Sequence, residues 1–303
     1  MADQANTTIV NWCLGNTCNY RCSYCPDILH SGSVNWVSYD KAIGFCEKLI
    51  RHYRSLGQQP EFLFTGGEPT MYPAFVKLLT WLKERGFAIS IISNGSRTVG
   101  WWEKNVHLLD TVILTYHSEY ADNEHFTAVV RLLGARIPLH INFTMLPANF
   151  SGILEFENLL HQQGGVFTTT LKPLLVNFGS QLYDYTPEQL KILQISERSG
   201  QNTTRTGRSE MKKILQDRSE TLITAADLIL RDENHWKGWK CYAGVELVYI
   251  DFNGDVYRGT CKQGGRITNI YEEEDFSFPS SFVTCGKSTC HCLSDITTSK
   301  EYA

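Results

Sequence analysis

Cys18-Asn19-Tyr20-Arg21-Cys22-Ser23-Tyr24-Cys25 places three cysteines within eight residues, spaced C-x3-C-x2-C. All-sulfur ligation favours iron–sulfur or zinc over harder metals. A four-iron cubane takes a thiolate on each iron, so this loop would leave one iron open to a non-protein ligand. An open coordination position separates a reactive metal site from a structural one. Zinc would need a fourth ligand, for which His30 is the candidate.

Further along lies Glu61-Phe62-Leu63-Phe64-Thr65-Gly66-Gly67-Glu68-Pro69, an apolar run ending in a glycine pair and an acid. A second run, Ala88 to Ile92, ends in Ser93-Asn94-Gly95. The cysteine triad with an aromatic before its third cysteine, then GGEP, then SNG, in this order, resembles the radical S-adenosylmethionine (SAM) superfamily. The three signals span residues 18–95, and the strand–helix rhythm carries the likeness to about residue 176. The resemblance implies a [4Fe-4S] cluster on Cys18, Cys22 and Cys25. It also implies SAM bound through Gly66, Gly67 and Glu68, with Tyr24 at the adenine. Ser93, Asn94, Thr115 and Asn142 would then hold the carboxylate and ribose. An electron donor such as flavodoxin or ferredoxin is implied with them.

Composition fits a soluble enzyme: 42% of residues are apolar, 20% are charged, and the net charge is −4. No global basic field argues for nucleic acid. No apolar run approaches the ~18–20 residues that cross a bilayer. The N-terminal residues lack the basic and apolar regions of a secretory signal, so a cytoplasmic location is expected. Ten cysteines in such a chain, clustered rather than dispersed, favour metal binding over disulfides. Cys13 and Cys46 stand apart among apolar neighbours and are expected to be buried small hydrophobes.

Strand-like runs at Ile9–Leu14, Glu61–Thr65, Ala88–Ser93, Thr111–His117, Leu139–Leu146 and Phe167–Val176 alternate with amphipathic segments. Six such units predict an α/β fold, a partial (β/α)6 TIM-like barrel too short to close, with a small C-terminal Cys-rich β-hairpin/α extension. The expected organisation is a barrel core over 1–180, a helical linker region over 181–235 containing the basic run Arg205, Arg208, Lys212 and Lys213, and an extension over 236–303. Period-two alternation puts Thr115 with His117, His140 with Asn142 and Thr144, and Thr168 with Thr170 and Lys172. Three strands with polar faces predict a wet lumen, in which His117, His140 and Lys172 are the reactive candidates.

The extension carries Cys241, a hairpin turning at Asp251-Phe252-Asn253-Gly254, then Cys261, Cys285, Cys290 and Cys292. It resembles the twitch extension, a shortened relative of the SPASM domain, which implies one auxiliary [4Fe-4S] cluster. Cys241, Cys261, Cys290 and Cys292 are the expected ligands and Cys285 the spare. SPASM sequences have more cysteines and a shorter step from the hairpin glycine to the next one. A structural zinc site is the alternative. The twitch likeness favours a peptide or amino-acid-derived substrate; the polar lumen equally suits a nucleoside, sugar or other small polar metabolite. The alternative of another class is a zinc-stabilised binding module without catalysis.

Overall fold

A computed structural model of the chain describes residues 7–178, 181–199, 210–224, 228, 231–272, 276–290 and 293–303. All six expected strands form: β1 (Thr7–Cys13), β2 (Gln59–Thr65), β3 (Ala88–Ser93), β4 (Thr111–Tyr116), β5 (Leu139–Met145) and β6 (Thr168–Pro173). They pair in parallel and in sequence order. The intervening helices are α1 (Tyr39–Ser55), α2 (Phe75–Lys83), α3 (Val99–Asn105), α4 (Asn123–Gly134) and α5 (Phe150–Gln162). Ser38, Thr98 and Asp122 cap α1, α3 and α4 by accepting from backbone N–H groups three residues on. Gly86 stops the α2 segment at φ +77°, a conformation that costs a residue without Cβ little.

The side-chain alternation sorts as expected. Val10, Trp12, Phe62, Phe64, Ile89, Ile91, Val112, Leu114, Ile141 and Phe143 turn to the helix layer. There they join Phe45, Leu49, Leu78, Leu82, Phe126 and Phe156 in one buried core. Each of these large apolar side chains contributes roughly 1.5–3 kcal/mol by leaving water. The opposite strand faces, which look into the barrel, mix polar residues such as Asn11, Thr65, Ser90, Thr115, His140, Asn142 and Thr144 with the apolar Ile9, Leu63, Ile92 and Ile113.

The sheet is wider than six strands. The predicted hairpin, β10 (Leu247–Ile250) and β11 (Asp255–Tyr257), lies beside β1 and is followed by β12 (Arg266–Asn269). β10 runs parallel to β1, Ile9 facing Leu247 and Trp12 facing Ile250. The hairpin expected to belong to a separate extension therefore continues the barrel sheet. An open six-stranded sheet leaves unpaired N–H and C=O groups along β1, and the hairpin covers them. Val248, Ile250 and Val256 enter the same core as the barrel helices. The Tyr53 hydroxyl, at the end of α1, donates to the Gly244 carbonyl at 2.8 Å.

A second, five-stranded sheet has the order β13-β9-β14-β7-β8. Its strands are β7 (Glu210–Ile214), β8 (Glu220–Thr224), β9 (Lys240–Cys241), β13 (Val283–Thr284) and β14 (Lys300–Glu301). Among its described residues, the segment expected to be a helical linker thus holds helix α6 (Pro187–Ser199) and then a β-hairpin. Thr186 and Gln189 form a capping box at the start of α6. The hairpin escaped the sequence because its strands are short and charged. Its turn is set by Asp217, which accepts from Ser219 N and Oγ at 2.9 and 2.6 Å. Lys212 of the basic run pairs with Glu220 across this hairpin at 2.6 Å. Arg205 and Arg208 lie outside the described residues. Among the described residues no helix is long and apolar enough to cross a membrane.

Tyr53→Phe should remove a side-chain hydrogen bond between α1 and the Gly244 turn with little change in volume. We expect a loss of about 1 kcal/mol in chemical denaturation with an unchanged denaturant slope.

Candidate active site

The ends of β1 and β2 dock backbone to backbone. Gly67 N donates to Gly15 O at 2.9 Å and Glu68 N to Thr17 O at 2.8 Å. Only glycines fit this contact. Gly66 adopts φ +132°, and a Cβ on Gly67 would lie 2.3 Å from the Thr17 carbonyl oxygen. Glu68, 1% exposed, accepts from Thr70 N and Oγ1 and from Ser93 Oγ on one carboxylate oxygen, and from Asn94 N on the other. Burial pushes its carboxyl pKa up, and these four donors pull it back toward the ionised form. Asn94 then reaches the cysteine loop, its Nδ2 donating to Asn19 Oδ1 at 2.9 Å and lying 3.8 Å from Cys18 Sγ. The GGEP turn, the SNG turn and the first cysteine are one hydrogen-bonded unit.

The cysteine loop is held from two more sides. Asn16, fully buried, donates to Ile28 O, Ser31 Oγ and Ser33 Oγ and accepts from Val34 N, closing the loop on itself. His30 turns its Nε2 to the Cys25 carbonyl at 3.1 Å, where it braces the loop. On the other side, the turn after β4 grips the residues between the cysteines. Glu119 accepts from Ser23 N and Oγ at 2.7 and 2.6 Å. Tyr120 donates to Arg21 O at 3.0 Å and stacks on Tyr20 with centroids 5.2 Å apart. Sequence reasoning missed Glu119 and Tyr120; their only signal is position, directly after the polar end of β4.

Cys18, Cys22 and Cys25 lie within electrostatic reach of one another. Burial pushes the Cys22 thiol up to about 12 and the Cys25 thiol up to about 11. Metal loading must therefore displace protons from these sulfurs. Among the described residues, no three His, Cys, Asp or Glu side chains are arranged to hold a single metal ion. Three neighbouring thiols on a braced loop, with glycine backbone and Asn94 beside them, fit a cluster with one open iron. Cys13 and Cys46 are buried as expected, Cys46 completely and within the main core.

Inside the barrel the polar side chains form a linked set. Thr144 Oγ1 donates to the Tyr116 carbonyl at 2.7 Å, so Tyr24 must be the donor in its 3.0 Å contact with Thr144. His117 Nδ1 then donates to the Tyr24 oxygen at 2.7 Å, which assigns the tautomer and leaves Nε2 as an acceptor. Burial, with the Lys172 charge nearby, lowers the His117 pKa to about 4. His140 is 1% exposed with both ring nitrogens engaged, by Thr168 at 2.8 Å and Asn142 at 3.3 Å, so it bridges strands within the lumen wall. Thr115 and Asn142 face each other across β4 and β5, and Lys172 is exposed on β6.

A second set of thiols gathers at the five-stranded sheet. Cys241 lies within electrostatic reach of Cys285, and Cys290 within reach of Cys241 and Cys261. Burial pushes Cys261 and Cys290 up to about 12. Asp295, 3% exposed, holds the Cys261 turn by accepting from Thr260 N, Thr260 Oγ1 and Cys261 N. Asn234 fixes Cys290 through both backbone groups. Cys285, expected as the spare, packs beside Cys241 in the same apolar cluster; Cys292 lies outside the described residues. The nine described cysteines are free thiols.

Residues 12–144 match the family model described as the radical SAM superfamily. Members of it use SAM and a [4Fe-4S] cluster, the groups that the triad and its glycine turn fit. Two curated relatives are each named S-adenosylmethionine-dependent nucleotide dehydratase. The one from Lacinutrix mariniflava is 25% identical over 203 residues, covering 64% of this chain and 39% of its own length. The one from Selenomonas ruminantium is 32% identical over 87 residues, covering 29% of this chain and 30% of its own. The chain thus spans about a third of the length of these relatives. Streptococcus suis SuiB has a similar fold, with a TM-score of 0.53 at 13% identity, over 88% of this chain and 64% of that one.

Gly67→Ala should force the β1 and β2 loops apart. Overpacking of this kind costs about 1–3 kcal/mol, and it should appear as a lowered denaturation midpoint together with reduced iron loading.

The depressed His117 pKa has a definite sign. Between about pH 6.5, where an unfolded histidine titrates, and about pH 4, the unfolded chain binds a proton that the folded chain refuses. His117 therefore makes stability fall as pH falls through that window. Imidazole NMR should show His117 neutral across it, and Lys172→Met should move its pKa upward.

Proposed function

We propose that this chain is a radical SAM enzyme that abstracts a hydrogen atom from a small polar substrate, of the nucleotide class. The observation that carries the chemistry is the joining of three loops by Glu68 and Asn94, which sets Cys18 beside the glycine turn. A reduced [4Fe-4S] cluster held by Cys18, Cys22 and Cys25 would supply the electron for reductive cleavage of SAM. The chain's own residues position and shield. Gly66 and Gly67 allow the methionine end close to the backbone, Glu68 and Asn94 set the polar wall around it, and Ser93 locks that wall. Tyr24 is buried next to Cys22 and Cys25, at the adenine position. Thr115 and Asn142 offer hydrogen bonds from adjacent strands to the ribose and carboxylate.

Support for the substrate class is of two kinds. Both curated relatives carry a nucleotide in their names, and their matches fall on this chain at 64% and 29% coverage. The lumen is lined by Thr115, Asn142 and Thr170, and the Lys172 cation is exposed beside it, chemistry that suits a sugar hydroxyl face and an anionic group. The C-terminal thiols are read as ligands of an auxiliary [4Fe-4S] cluster, because four cysteines from separate segments converge with no disulfide between them. A flavodoxin- or ferredoxin-type protein is the electron donor in this reading.

Replacing Cys18, Cys22 and Cys25 together by Ala should abolish reductive formation of 5′-deoxyadenosine. Iron per chain should fall by about half, as for loss of one of two cubanes. With the wild type, deuterium should reach 5′-deoxyadenosine from labelled nucleotides. Retained 5′-deoxyadenosine in the triple variant would remove the active-site assignment, and deuterium arriving only from peptides would overturn the substrate class.

A further inference from the structure

Lys300 is 1% exposed, among the largest fully buried side chains of the molecule. It sits on β14 directly across from Cys241 on β9, and cross-strand partners point to the same face of a sheet. Its ammonium donates to two backbone carbonyls, Asp295 O at 3.1 Å and Thr298 O at 2.6 Å. Among the described residues no carboxylate lies within ion-pair distance of it. A buried cation solvated by two carbonyls and no counter-ion is costly. Its electrostatic neighbours are Cys241 and Cys290, whose thiols burial pushes up and Lys300 draws back toward the ionised form. In the same apolar cluster, Trp236 has a buried indole N–H with no hydrogen-bond partner among the described residues. Among the described residues, neither the Lys300 ammonium nor the Trp236 indole N–H, both close to Cys241, has an anionic acceptor.

We propose that Lys300 is the built-in counter-charge of an iron–sulfur centre held by the C-terminal cysteines, and that it raises the reduction potential of that centre. This rests on the auxiliary-cluster reading of Cys241, Cys261, Cys285 and Cys290. A cluster bound by four thiolates is anionic, and its net charge and surroundings set its potential. Adding an electron makes it more negative, so a fixed cation beside two of its sulfurs stabilises the reduced form more than the oxidised one. Lys300 is a positioning and tuning residue, and the role belongs to its charge rather than to ligation. The buried Asp295 carboxylate, engaged by Thr260 and Cys261 donors, lies within electrostatic reach of Cys241, Cys261 and Cys290 and opposes the effect of Lys300 there, while its backbone carbonyl accepts from Lys300.

The test uses the full chain with Cys18, Cys22 and Cys25 replaced by Ala, so that the C-terminal centre is the one observed. Redox titration followed by electron paramagnetic resonance compares this protein with its Lys300→Met and Lys300→Arg derivatives, each checked for iron and sulfide. For Lys300→Met, the reduced-to-oxidised ratio at a fixed potential should fall about tenfold, which is 59 mV for a one-electron couple. Lys300→Arg should hold the midpoint near the parent value. Absence of iron in the parent triple variant would reject the auxiliary cluster itself. Full iron with an unchanged midpoint in Lys300→Met would reject the role of Lys300 alone. Loss of iron in Lys300→Met but not in Lys300→Arg would support the charge requirement, whereas loss in both would make Lys300 a packing residue and overturn the proposal.

Discussion

The architecture of the site depends on one buried carboxylate. Glu68 has almost no exposure, yet it gathers Thr70 from its own turn and Ser93 and Asn94 from the end of the next strand. A carboxylate removed from water is tolerable when donors replace the lost hydration. That requirement works in reverse as a specification, since the donors must be where the carboxylate is. The end of β3 is thereby fixed against the end of β2, and Asn94 carries the constraint on to Asn19 and Cys18. Glu68 was expected as part of the SAM-binding turn; its geometry makes it the joint between three loops as well.

Around that joint, the parallel sheet performs a geometric service. Parallel strands deliver their C-terminal ends to one side, so loops far apart in sequence meet there. The turn after β4 exploits this proximity. His117, Glu119 and Tyr120 contact Tyr24, Ser23, Arg21 and Tyr20, so every residue between the first and third cysteines except Asn19 and Cys22 has a partner on that turn. A short loop carrying three thiols has no core of its own, and such external contacts keep it ordered. The polar chain from His117 through Tyr24 and Thr144 to the Tyr116 carbonyl adds a fixed hydrogen-bond direction inside the barrel.

The C-terminal part of the chain is divided between two jobs. Its first hairpin covers the open edge of β1 and contributes Val248, Ile250 and Val256 to the barrel core. The remaining short strands build the second sheet, where Cys241 and Lys300 face each other. The residues from Cys241 to Leu247 connect one sheet directly to the other.

The sequence by itself determined the six βα units, the triad and its two companion turns, since each is a local pattern: period-two and period-3.6 hydrophobicity, glycines where backbones approach, and cysteines at fixed spacing. Tertiary structure decided what depends on residues distant in the chain. It placed β10 on β1 across more than two hundred residues, turned an apparent linker into the β7–β8 hairpin, and brought Lys300 to Cys241. None of these leaves a local mark, because the pairing of an edge strand and the neutralising of a buried charge are satisfied by whichever segment the fold brings there.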